Sequence, residues 1–100
     1  MSNKTAKDDA NIEIHIDADI MKGTFANVTN IGHTKEEFLL DFLFIQQTPA
    51  PFGKLVSRVI VTPAHAKRLL FTLSENIQKY ENEYGKLDDI HPVLNNRTLQ

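Results

Sequence analysis

The sequence predicts an α+β fold, an antiparallel four-stranded sheet followed by one long C-terminal helix packed on one face. Three observations lead there. Apolar and polar residues alternate from Asn11 to Ala18, two strand-length apolar runs flank a Pro-rich loop, and after Thr62 the apolar residues recur in steps of three and four. Alternation with period two marks a half-buried strand, and recurrence at three and four residues marks an amphipathic helix.

Residues 1–10 are polar and read as a flexible arm. In the first strand Ile12, Ile14, Ile16 and Ala18 share one face, and Glu13, His15 and Asp17 share the other. Lys22-Gly23 interrupts the chain, Thr24 to Ile31 reads as a second strand, and Gly32-His33-Thr34-Lys35 as a turn. Glu37 to Gln46 is apolar on both parities, with Phe38, Leu40, Phe42 and Phe44 on one side and Leu39, Leu43 and Ile45 with Asp41 on the other. A strand of that kind needs cover on both faces; an amphipathic helix is the competing reading, and the Phe content and flanking turn signals favour the strand. Gln47 to Gly53 holds two prolines and a glycine and reads as a stiff connection to a fourth strand, Leu55 to Val61.

Thr62 suits an N-cap and Pro63 the first helical position. Ala66, Leu69, Leu70, Leu73, Ile77, Tyr80 and Tyr84 then form one stripe, and Gly85 supplies the stop. Such a helix is about 33 Å long, close to the length of a ten-residue strand. The division is therefore an arm over 1–10, a single domain over 11–85 and a tail over 86–100.

Composition narrows the function. The chain has 100 residues, 11 basic and 13 acidic side chains, a formal net charge of −2 and no cysteine. Without cysteine there is no disulfide scaffold, thiolate metal site or thiol nucleophile. Hydrophobic residues at 41 % suit a folded domain rather than a disordered chain. The N-terminus lacks the apolar core of a secretory signal, and no apolar run nears the roughly 18–20 residues of a membrane span, so a cytoplasmic protein is expected. Lys and Arg are scattered, which disfavours nucleic acid as a partner.

One register for hairpin pairing of the third and fourth strands, taken as a hypothesis, sets Phe38 against Val61, Leu40 against Val59, Phe42 against Ser57 and Phe44 against Leu55. Asp41 then faces Arg58 among Leu39, Leu43, Ile45, Val56 and Ile60, because parity fixes which residues share a face. One helix covers one face only. The other would leave these apolar residues in water, which monomers rarely tolerate. A homodimer or higher assembly of this chain with itself is therefore expected, with Leu39, Asp41, Leu43, Ile45, Val56, Arg58 and Ile60 at the contact. Phe71, on the helix side away from the Leu stripe, is either a second contact or an isolated exposed aromatic.

Other polar residues carry competing readings. His15, Asp17 and Asp19 alternate and could ligate a divalent metal, although a charged edge-strand face accounts for them better. Asp41 with Arg58 reads as an ion pair that sets register or partner orientation, ahead of a ligand site. Asn27 and Asn30 offer amides to a ligand or suit a twisted strand. His65 and His91 have no companions at ligand spacing. No nucleophile elbow, phosphate-binding glycine loop or HExxH helix is present, so a non-catalytic protein without a cofactor is expected.

Phe25-Ala26-Asn27, the Glu37-Phe38-Leu39-Leu40-Asp41-Phe42 strand and the Thr62-Pro63-Ala64-His65-Ala66-Lys67 helix start together resemble a family of short bacterial proteins catalogued only as a domain of unknown function. The resemblance spans about two thirds of the chain and implies no catalytic residue. In element order alone the chain is similar to the export chaperone SecB and to single-stranded-DNA-binding coactivators. The first likeness implies apolar grooves for extended polypeptide. The second implies a basic sheet face, which this composition does not supply. The leading expectation is a self-associating protein- or peptide-binding module; the alternative is single-stranded nucleic-acid binding with Phe25 or Phe52 as stacking groups.

Overall fold

In the computed structural model, which describes residues 3–7 and 11–88, the chain runs β1 (Asn3–Lys7), β2 (Glu13–Asp17), α1 (Ala18–Met21), β3 (Val28–His33), β4 (Phe38–Gln46), β5 (Phe52–Val61) and α2 (Pro63–Tyr84). Two antiparallel sheets result: the hairpin β1-β2, and a three-stranded sheet in which β4 lies between β3 and β5. The strand that is apolar on both parities thus takes the central position, where its backbone is paired on both edges.

Local hydrogen bonds shape the β3-β4 turn and the start of α2. Between β3 and β4 the Thr34 N–H donates to the Glu37 carbonyl at 2.9 Å. The Thr34 hydroxyl accepts from the N–H groups of Glu36 at 3.2 Å and Glu37 at 3.3 Å. The loop between β4 and β5 contains a cis Thr48-Pro49 bond. At the start of α2 the Thr62 hydroxyl accepts from the His65 N–H at 3.1 Å, and Pro63 fills a position with no intrahelical donor role. Gly85 ends the helix at φ 107°, where a β-carbon would be strained.

Asn27 extends the sheet beyond the formal end of β3. Its side-chain amide donates to the Ile45 carbonyl and its side-chain oxygen accepts from the Ile45 N–H, both at 2.9 Å. Its own N–H donates to the Leu43 carbonyl at 3.0 Å. The side chain therefore imitates a strand partner for β4 where β3 has run out.

Four sequence expectations need correction. The sheet that includes β4 has three strands, because β2 pairs with β1 instead; the short connection between those two segments favours local pairing. Part of the expected arm, Asn3–Lys7, is accordingly β1. Lengths also shift: the second strand begins at Val28 rather than Thr24, and β5 begins at Phe52 within the expected loop. Most of the expected tail, from residue 89 onward, lies outside the described residues.

The fourth correction concerns packing. Helix α2 has the expected bounds, yet it has no buried residue and does not lie on the sheet. Only Thr62 separates β5 from α2. Reversing a chain so that a helix folds back on its preceding strand ordinarily takes a loop of about 2–6 residues. A one-residue link does not supply that reversal.

Consequently the core is minimal. Among the described residues Leu40, 8 % exposed, is the one buried apolar side chain. The radius of gyration is 16.7 Å, against about 13 Å for a closed domain of this length. The accessible surface is 8791 Å², against roughly 5,800 Å² from area–mass scaling. Among the described residues no helix is long and apolar enough to cross a membrane.

Two substitutions test these local devices. Asn27→Ala removes both bonds to Ile45 and is expected to lower stability by about 1 kcal/mol, and Thr62→Ala by a similar amount through loss of the cap. Each should reduce the thermal midpoint by roughly 4–8 °C in circular-dichroism melts at matched concentration.

Candidate functional site

The β4-β5 ladder pairs Phe38 with Val61, Leu40 with Val59, Asp41 with Arg58 and Phe42 with Ser57. The next pairs are Leu43 with Leu55 and Phe44 with Lys54, so the register shifts by one residue between Phe42 and Leu43. Val56 is the extra residue of a β-bulge. This corrects the expected pairing of Phe44 with Leu55 and exchanges the faces of residues 52–55.

One face of the sheet therefore carries successive cross-strand rungs: Gly32-Leu39-Ile60, Asn30-Asp41-Arg58, Val28-Leu43-Leu55 and Ile45-Gly53. Leu39, Leu43 and Ile45 are half-buried, while Leu55 and Ile60 are 49 % and 55 % exposed. Of the expected contact residues, Leu39, Asp41, Leu43, Ile45, Arg58 and Ile60 share this face. Val56 does not belong with them. It lines an open hollow with Thr24, Ala26, Phe42 and Ser57 on the opposite side. Leu55 takes its place on the face, and the hydrophobic pattern of β5 alone contained no signal for the bulge that moves it.

The opposite face surrounds Leu40 with Ile31 and Val59, both exposed. There Phe25 meets Phe44 edge-on at 6.1 Å, and His33 stacks on Phe38 at 5.2 Å. Phe71 projects from α2 and is exposed, as are Leu70, Leu73, Ile77, Tyr80 and Tyr84.

A single charged rung interrupts the first face. Arg58 Nε donates to Asp41 Oδ1 at 2.6 Å and a terminal guanidinium nitrogen donates to Oδ2 at 2.9 Å, a bidentate pair. The Asp41 side chain is 15 % exposed and that of Arg58 51 %. Hydrogen bonding from Arg58 holds the Asp41 carboxyl below its ordinary range; partial desolvation opposes this and the guanidinium charge adds to it. The same bonds, with the carboxylate charge, raise Arg58.

The remaining polar candidates disperse. Asp17 ends β2 and Asp19 lies in α1, so the alternation of His15, Asp17 and Asp19 does not continue along one strand. His15 lies 3.8 Å from Glu13, and Asp19 3.5 Å from Lys22. Among the described residues no group of three or more His, Asp or Glu could hold a metal ion. Asn27 is committed to Ile45, a role its position at a strand entrance could have suggested.

The chain belongs to the family described as protein of unknown function (DUF3467), whose model matches residues 1–89. No curated protein matches the chain, and neither does any solved structure.

The ion pair makes stability depend on acid. Asp41 has a folded-state pKa below its unfolded one, so its contribution is fully present above the unfolded value, about 3.9, and is lost as pH falls through the folded value. Asp41→Asn should flatten the stability–pH curve below about pH 4, as read by urea unfolding across pH.

Proposed function

We propose that this member of the DUF3467 family is a non-catalytic module that self-associates through the face formed by Leu39, Leu43, Ile45, Leu55 and Ile60. Protein or peptide is its further partner, bound on the apolar surface left over. The observation that carries this reading is the solitary burial of Leu40 among the described residues. Covering an apolar side chain of this size contributes about 1.5–3 kcal/mol, and small domains with too little core of their own commonly obtain it by oligomerisation.

A second copy suits this face because its charge is internally cancelled. Asp41 and Arg58 neutralise each other, so two such faces meet without an unpaired ion or like-charge repulsion. The self-complementary contact of a two-fold dimer requires that property of a single surface. For a peptide partner, β5 offers one of the two edges of the sheet, unpaired among the described residues, to which an extended segment can add as a further strand.

Light scattering tests the assembly. The wild-type chain should scatter as at least twice its 11.4 kDa mass at micromolar concentration, and Leu43→Glu should shift it to monomer or aggregate. A monomeric wild type refutes self-association. A Leu43→Glu variant that stays folded with unchanged mass refutes this face. A salt-dependent mobility shift with single-stranded DNA would replace the peptide-binding reading with one built on exposed Phe25 and Phe52.

A further inference from the structure

Helix α2 carries a pattern that the sheet face does not explain. Ala66, Leu70, Leu73, Ile77, Tyr80 and Tyr84 follow one another at steps of four, three, four, three and four. That spacing is compatible with a heptad repeat, the 3.5-residue period of a supercoiled helix pair. Every residue of this seam except the half-buried Ala66 is exposed, and the sheet does not cover it.

We propose that α2 pairs antiparallel with α2 of a second copy, centred near residue 75. The inference rests on the self-association reading and adds a second surface to it. In this alignment Ala66 meets Tyr84 of the partner subunit, Leu70 meets Tyr80 of the partner subunit, and Leu73 meets Ile77 of the partner subunit. Each of the six seam residues finds a counterpart, and the smallest faces one of the largest, as interdigitating layers require.

Charge selects the direction. The residues flanking the seam on one side are Lys67, Ser74 and Glu81. Antiparallel pairing brings Lys67 beside Glu81 of the partner subunit, twice over, with Ser74 at the two-fold axis. A parallel pair would instead stack Tyr80 and Tyr84 on their own copies and set Glu81 beside Asn76 of the partner subunit, with no opposite charges matched. Flanking charges of this kind fix partner and orientation in helix pairs. Phe71 lies away from the seam and takes no part in it.

Because the chain has no cysteine, engineered disulfides read the geometry directly. Ala66→Cys and Tyr84→Cys variants, mixed under mild oxidation, should form a cross-linked heterodimer, while Ala66→Cys alone should not. Lys67→Glu should weaken association about tenfold, and Lys67→Glu with Glu81→Lys should restore it. Self-cross-linking of Ala66→Cys would establish a parallel pair and overturn the proposal. An oligomer by light scattering without any mixed disulfide would overturn it and leave the sheet contact standing. A mixed disulfide that persists when Leu43→Glu is added supports it independently of the sheet face. A monomer in every sample refutes both.

Discussion

The structure depends on the two-sided apolarity of β4. A strand with Phe38, Leu40, Phe42 and Phe44 on one side and Leu39, Leu43 and Ile45 on the other must be paired along both edges and layered on both faces. The chain provides the first: β3 and β5 flank β4, and Asn27 continues the pairing past the end of β3. It does not provide the second, since α2 leaves the sheet after one linking residue. A short chain that completes its ladder but not its layers has reason to recruit outside surface.

Asp41 and Arg58 show how such a face stays specific. A purely apolar ribbon could slide by two residues and still bury grease against grease. A bidentate pair in the middle of β4 and β5 penalises that slip, because each misaligned register strands a carboxylate against hydrocarbon. The pair contributes little net stability at its exposure and acts chiefly on alignment.

Much of this was legible in the residues. The Thr62-Pro63 start and Gly85 stop of α2 follow from capping chemistry, which is local, and the structure has the same bounds. The Asp41–Arg58 rung followed from one chosen register of the β4-β5 hairpin, parity fixing only which residues share its face. What could not be read depends on non-local geometry. The bulge at Val56 inserts a residue that composition does not mark. The pairing of β2 with β1 was hidden because Asn3–Lys7 is polar and carries no alternating strand pattern. The direction in which α2 departs is set by the length of a linker whose residues look like any helix start.

The one-residue link at Thr62 also bears on stoichiometry. If two helices lie side by side in opposite senses, their sheets stand at the far ends, roughly 36 Å apart along the pair by the helical rise. Neither sheet can then shelter the other. Each remains available to a third chain, and two distinct self-complementary surfaces per subunit generate either a closed ring of contacts with dihedral symmetry, four-membered when the two axes cross at right angles, or, if the axes fail to intersect, an open polymer.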